Sequence, residues 1–119
     1  MDGKRVWLLD LDLLSAGDPA LDAGNFVGHL VEWSIRKPGA RRALEDAATV
    51  FTERFLELSG EDLREAVGIY TTLTLARHIS ISTQFPDRRP FTEQLLTLCE
   101  MRCGLGNMPC HTALAAPTL

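Results

Sequence analysis

Apolar and polar positions divide the chain into one short apolar run followed by four stretches of helical period. Val6–Leu9 is strand length and is interrupted by Asp10, so a buried strand is expected over Arg5–Leu11. Asp2-Gly3 ahead of it is the dipeptide of a tight hairpin turn. A partner strand for that turn would lie upstream of Met1, and the sequence reads as one that begins inside a hairpin. A single strand cannot satisfy its own backbone groups, so the same pattern calls for sheet partners from elsewhere. Ser15–Pro19 then reads as a turn, with Asp18-Pro19 placing Pro just inside the first turn of a helix.

The first helix is expected over Ala20–Ser34, burying Leu21, Phe26, Leu30 and Trp33 at mixed steps, and Lys37-Pro38-Gly39 stops it. The second runs over Ala40–Leu58, with Leu44, Ala47, Ala48, Phe51, Phe55 and Leu58 on one face. Gly60 closes it, and Ser59 stands as an N-cap for a third helix, with Asp62 three residues on. That third helix spans Asp62–Ile81, with Leu63, Val67, Tyr70, Leu73 and Arg77 in register. Gln84–Pro90 is a loop, and a fourth helix over Phe91–Cys103 buries Leu95, Leu98 and Cys99 before Gly104. The fold class read from the pattern is mainly α: one N-terminal strand feeding four helices within residues 1–103. Residues 104–119, rich in Gly, Pro, Ala and Thr, read as a disordered tail. No internal repeat is visible.

Composition narrows the options. A chain of 119 residues, 45 % hydrophobic, is sized for one domain with one core. Its net charge of −4 lacks the basic footprint of a nucleic-acid binder. Arg36, Lys37, Arg41 and Arg42 do cluster, but Glu45 and Asp46 follow, as on a solvated helix start. No stretch is long and apolar enough to cross a bilayer, and the first 30 residues lack the build of a signal peptide. A cytoplasmic location is the expectation. Three cysteines, an odd number, suit a reducing compartment. Cys99, Cys103 and Cys110-His111 match no common zinc spacing and read as small core or surface thiols.

The chemistry sits where the apolar run ends. Asp10 and Asp12 stand two apart on the expected strand, so both can point to the same side. Two carboxylates at the mouth of an apolar strand are costly without a positive partner, and hard oxygen ligands favour Mg²⁺. Two enzyme classes use such a strand end. Met1–Asp12 resembles the start of the haloacid-dehalogenase-like phosphatases, whose Asp-x-Asp supplies nucleophile and general acid. That motif continues with Gly and then Thr or Val, whereas Leu13-Leu14 follows here. The downstream lysine and acidic pair of an alternating α/β chain do not appear either.

The run LLDLDLLSAGDPALDAGNFVGHL fits the second class further along its length. It resembles the metal-binding segment of the aminoglycoside phosphotransferase and choline-kinase-like family, a branch of the protein-kinase-like fold. The anchors are Leu9-Asp10, Gly17-Asp18-Pro19 and Asp22. The likeness extends from Arg5 to about Cys103 if the four helices stand for the family's C-terminal lobe. It implies that Asp10 holds Mg²⁺ against the phosphates of ATP during in-line transfer. Asp12 falls in the family's variable spacer and is either an outer ligand or a solvated acid. Asp18 is implied to shape the turn, and Asp22 to support the catalytic loop from a helix start.

Departures limit what the resemblance implies. The family's His-x-Asp followed by Asn five residues later does not occur: His29, His78 and His111 have no Asp two residues on. Lys4 and Lys37 are the only lysines, and neither has the setting of the nucleotide-lobe lysine. No catalytic residue is therefore assigned, and His29, Trp7 and Trp33 read as structural. The chain is expected to be a C-terminal fragment of an ATP- and Mg²⁺-dependent phosphotransferase acting on a small-molecule hydroxyl, inactive alone. The family's acceptors are aminoglycosides, choline, amino alcohols and sugars. Glu57, Glu61, Asp62 and Glu65 could meet a cationic acceptor, and a solvated helix start accounts for them equally. The non-enzymatic alternative is a helical interaction module whose bare surface pairs with itself or with a complementary chain.

Overall fold

The computed structural model of the chain describes Val6 and residues 17–104, and within them every regular element is helical. Four helices follow in order: α1 over Pro19–Arg36, α2 over Arg41–Ser59, α3 over Arg64–Gln84 and α4 over Thr92–Arg102. Short 3₁₀ turns at Pro38–Ala40, Glu61–Leu63 and Arg89–Phe91 join them. The expected helices are all present, with ends shifted by up to three residues. The expected strand over Arg5–Leu11 and the tail beyond Gly104 lie outside the described residues, Val6 and Gly104 apart.

Each boundary has a local cause. Asp18 accepts a hydrogen bond from the Ala20 backbone N–H at 2.9 Å through its own carboxylate, and Pro19 needs no partner for a donor it lacks. Lys37 ends α1 before Pro38. Gly60 ends α2 at φ 123°, ψ 135°, a conformation open essentially to glycine alone, while its N–H donates to the Leu56 carbonyl at 2.8 Å. Ser59 is the last residue of α2 and caps nothing, because Gly60 makes the turn.

Helix α3 is the centre of the arrangement, packed against both α1 and α4, with α2 lying on α1. Ala20, Ala23 and Val67 are buried under Phe51, Phe55, Ala66 and Tyr70 at one end. Leu75, Leu95 and Cys99 are buried with Val31, Ile35, Ile79 and Leu98 at the other. Arg102 ties α4 to α3, donating to the Thr72 hydroxyl at 2.8 Å and the Gly68 carbonyl at 3.1 Å.

The buried face of α1 differs from the one read in the sequence. Leu21, Phe26 and Trp33 are about half-exposed, while Ala20, Ala23, Gly24, Val27, Gly28, Glu32 and Ser34 are buried. Small residues let the two backbones approach. A methyl built on Gly24 would lie 2.4 Å from Tyr70 Cβ and 2.8 Å from the Val67 carbonyl oxygen. One on Gly28 would lie 2.6 Å from Thr74 Cβ. The stripe Ala20, Gly24, Gly28 at steps of four thus brings the two backbones together, and the large apolar Leu21, Phe26 and Trp33 are not what fills the contact. Ala47, Leu58 and Leu73, also expected on buried faces, are exposed, whereas Leu56 is buried.

Candidate functional site

Two groups of polar side chains join α1 to α3. The first is the turn into α1. Asp18 adopts φ −77°, ψ 115°, and its two carboxylate oxygens divide their work. One accepts from the Ala20 backbone; the other accepts from the Tyr70 hydroxyl of α3 at 3.2 Å. That hydrogen bond, reinforced by the carboxylate's charge, holds the Tyr70 phenol above its ordinary value. Asp22 occupies the first turn of α1, exposed, where an acid is favoured by the helix dipole. Asp18 therefore shapes the turn and also ties it to α3. Asp10 and Asp12 lie outside the described residues.

The second group runs along the α1–α3 seam, one to four turns further. Asn25 Oδ1 accepts from the Thr74 hydroxyl at 3.1 Å and from Arg77 Nη2 at 3.0 Å. One turn on, His29 Nδ1 lies 3.1 Å from His78 Nε2, with the rings edge-on at 89° and centroids 5.0 Å apart. His78 is buried and His29 is exposed. On the far side of His78, its Nδ1 lies 4.0 Å from Glu32 Oε1. Glu32 is itself buried and receives two hydrogen bonds from the Arg36 guanidinium, at 2.5 and 3.1 Å. A buried carboxylate is tolerable only with such partners.

Burial pushes His78 below the ordinary imidazole value. The Glu32 charge works in the opposite direction, and His29, Arg77 and Arg88 add to the lowering. Sequence reading set His29 aside as structural, weighed His78 only for an Asp two residues on, and did not reach Asn25 or Glu32. The Glu32–Arg36 step of four was a usable signal; the approach of His78, 49 positions from His29, had none.

The remaining sequence candidates separate clearly. Glu57 pairs with Arg54 at 2.9 Å and Glu61 with Arg64, so two of the four acids offered to a cationic acceptor already face arginine. Cys99 is buried and Cys103 partly so, both as free thiols; burial raises the Cys99 thiol above its usual value, and Cys103 adds to this. Cys110-His111 lies outside the described residues. Among the described residues no three His, Cys, Asp or Glu side chains converge as metal ligands. No helix among them is long and apolar enough to cross a membrane. Compared with known proteins, the chain matches no protein-family model, no curated protein and no solved structure.

Proposed function

We propose that this chain supplies the metal-binding strand end and the acceptor-side helices of an ATP- and Mg²⁺-dependent small-molecule phosphotransferase of the aminoglycoside phosphotransferase and choline kinase type. The observation that carries the reading is the turn Gly17-Asp18-Pro19 with Asp22 behind it. Asp18 caps α1, Pro19 is its first residue and Asp22 sits in its first turn, a local geometry compatible with the family motif. Four helices behind that turn agree with the helical part of such a lobe.

In this reading Asp10 holds Mg²⁺, which neutralises charge on the transferring phosphoryl group. Asp12 lies beside it in the spacer. The catalytic base and the nucleotide contacts come from outside these 119 residues, since no His-x-Asp with a trailing Asn occurs among them. The 119-residue chain is expected to bind Mg²⁺-ATP weakly and to phosphorylate no aminoglycoside, choline or sugar. Mn²⁺ added with ATP should broaden NMR signals around Asp10, and Asp10→Asn should remove that broadening. Broadening indifferent to Asp10→Asn, or turnover by these residues that Asp10→Ala abolishes, would overturn the reading as stated. Coding sequence upstream of Met1 gives a second check. His-x-Asp and Asn in the same frame are expected there, and unrelated sequence counts against the proposal.

One observation favours the alternative of an interaction module: Trp33 is half-exposed, as is Phe26 even though its ring packs on Phe51 of α2. A defined dimer in sedimentation, lost on Trp33→Ala, would support it.

A further inference from the structure

The chemistry of two imidazoles facing each other at 3.1 Å is restrictive. A single proton must lie between them, because two N–H groups cannot point at one another at that separation. Either ring could supply it, and Glu32 decides which. If His78 donated from Nε2, its neutral ring would turn the lone pair of Nδ1 toward the Glu32 carboxylate 4.0 Å away. If His29 donates from Nδ1, then His78 accepts at Nε2 and presents Nδ1–H to that carboxylate instead. The second arrangement sets a dipole favourably against a buried charge, and the Arg36 hydrogen bonds keep that carboxylate in place. His29 is then left with an unprotonated Nε2, and that ring is exposed.

We propose that Glu32, His78 and His29 form one proton-sharing relay that makes the α1–α3 seam a pH-responsive joint, closed while the two imidazoles hold at most one extra proton and forced apart when they hold two. One extra proton is accommodated at Nε2 of His29, where it meets no opposing N–H. A second must go to Nε2 of His78, head-on to the His29 donor, and the rings must separate. The surroundings act in both directions. Glu32 favours charge on His78, while Arg77 of α3 and Arg88 of the loop after it oppose it. Arg36 lies on the other side of Glu32 and offsets part of its charge.

Stability linked to neutral His78 is present above the ordinary imidazole value. Because burial lowers His78 in the fold, that contribution is lost as pH falls below the ordinary value toward the lowered one.

The test is a long-range proton–nitrogen NMR titration of the whole chain with ¹⁵N-labelled histidine, beside thermal melts over the same pH range. The expected result at alkaline pH is Nδ1–H on both rings, with Glu32→Gln releasing His78 from that single tautomer. On acidification the two rings should titrate with mutual dependence, and the melting midpoint should fall more steeply than in His78→Gln. Nε2–H on either ring at alkaline pH, or two independent single-site curves, would overturn the proposal. So would equal pH dependence of the melts in His78→Gln and the unsubstituted chain. The tautomer measurement needs no variant and decides the matter even where a substitution fails to fold.

Discussion

Two glycines and a third show how a single atom decides the packing. Gly24 and Gly28 leave no room for a methyl against Tyr70, Val67 and Thr74; at Gly24 the atoms in the way are a Cβ and backbone, and at Gly28 they are the Cβ and γ-methyl of the branched Thr74. Gly24→Ala should therefore destabilise the chain by about 1–3 kcal/mol through overpacking, despite the better helix propensity of Ala. Gly68, inside α3, has open space where its Cβ would lie. There the propensity gain acts unopposed, and Gly68→Ala should stabilise by about 0.5–1 kcal/mol. Denaturant titration of both variants checks the pair; destabilisation by both would show that helix contact is not the distinguishing cause.

For the helices, the ends were readable because capping is local. Asp18 and Pro19 announce α1 within two residues, and Lys37-Pro38 announces its end. Asp18→Ala should cost about 1 kcal/mol for the lost cap, and the Tyr70 phenol should ionise at lower pH once its acceptor is gone. Asp18→Asn keeps an oxygen for the Ala20 N–H, so it should retain most of the stability while removing the carboxylate whose hydrogen bond and charge hold Tyr70 up. Ultraviolet titration of Tyr70 together with thermal melts separates the two roles. The face of each helix was less readable than its ends. In α1, Leu21, Phe26 and Trp33 follow hydrophobicity, but the contact with α3 follows size, and the stripe of Ala20, Gly24 and Gly28 carries little apolar signal.

Across the molecule, electrostatics divides into an exposed network and a buried one. Arg64 bridges Glu53 of α2, at 3.0 Å to each oxygen, and Glu61, and its hydrogen bonds hold Glu53 below the usual carboxylate value. All three are solvent-exposed, so Arg64→Ala should move the melting midpoint little, and less still at high salt. Arg36→Gln acts on the buried Glu32 instead. With Arg36 itself partly exposed, the expected loss is about 2–3 kcal/mol, below the ~3–5 kcal/mol of a fully enclosed pair. Melts of both variants at low and high salt test the contrast, and equal losses would contradict it.

The Gly17-Asp18-Pro19 turn and Asp22 at the start of α1 were legible as a helix entry because they are close together in the chain. The relay of His29, His78 and Glu32 was not, since it joins α1 to α3 across 49 positions. From the order of residues alone follow the mainly helical character, four helices within a few residues of their ends, and the turn that starts the first. Those depend on interactions between neighbours in the chain: caps, proline, glycine and period. Which face of α1 is buried, and that an exposed imidazole meets a buried one backed by a carboxylate, depend on how closely two helices approach. That distance is set by the partner surface as much as by the helix, and no local pattern carries it.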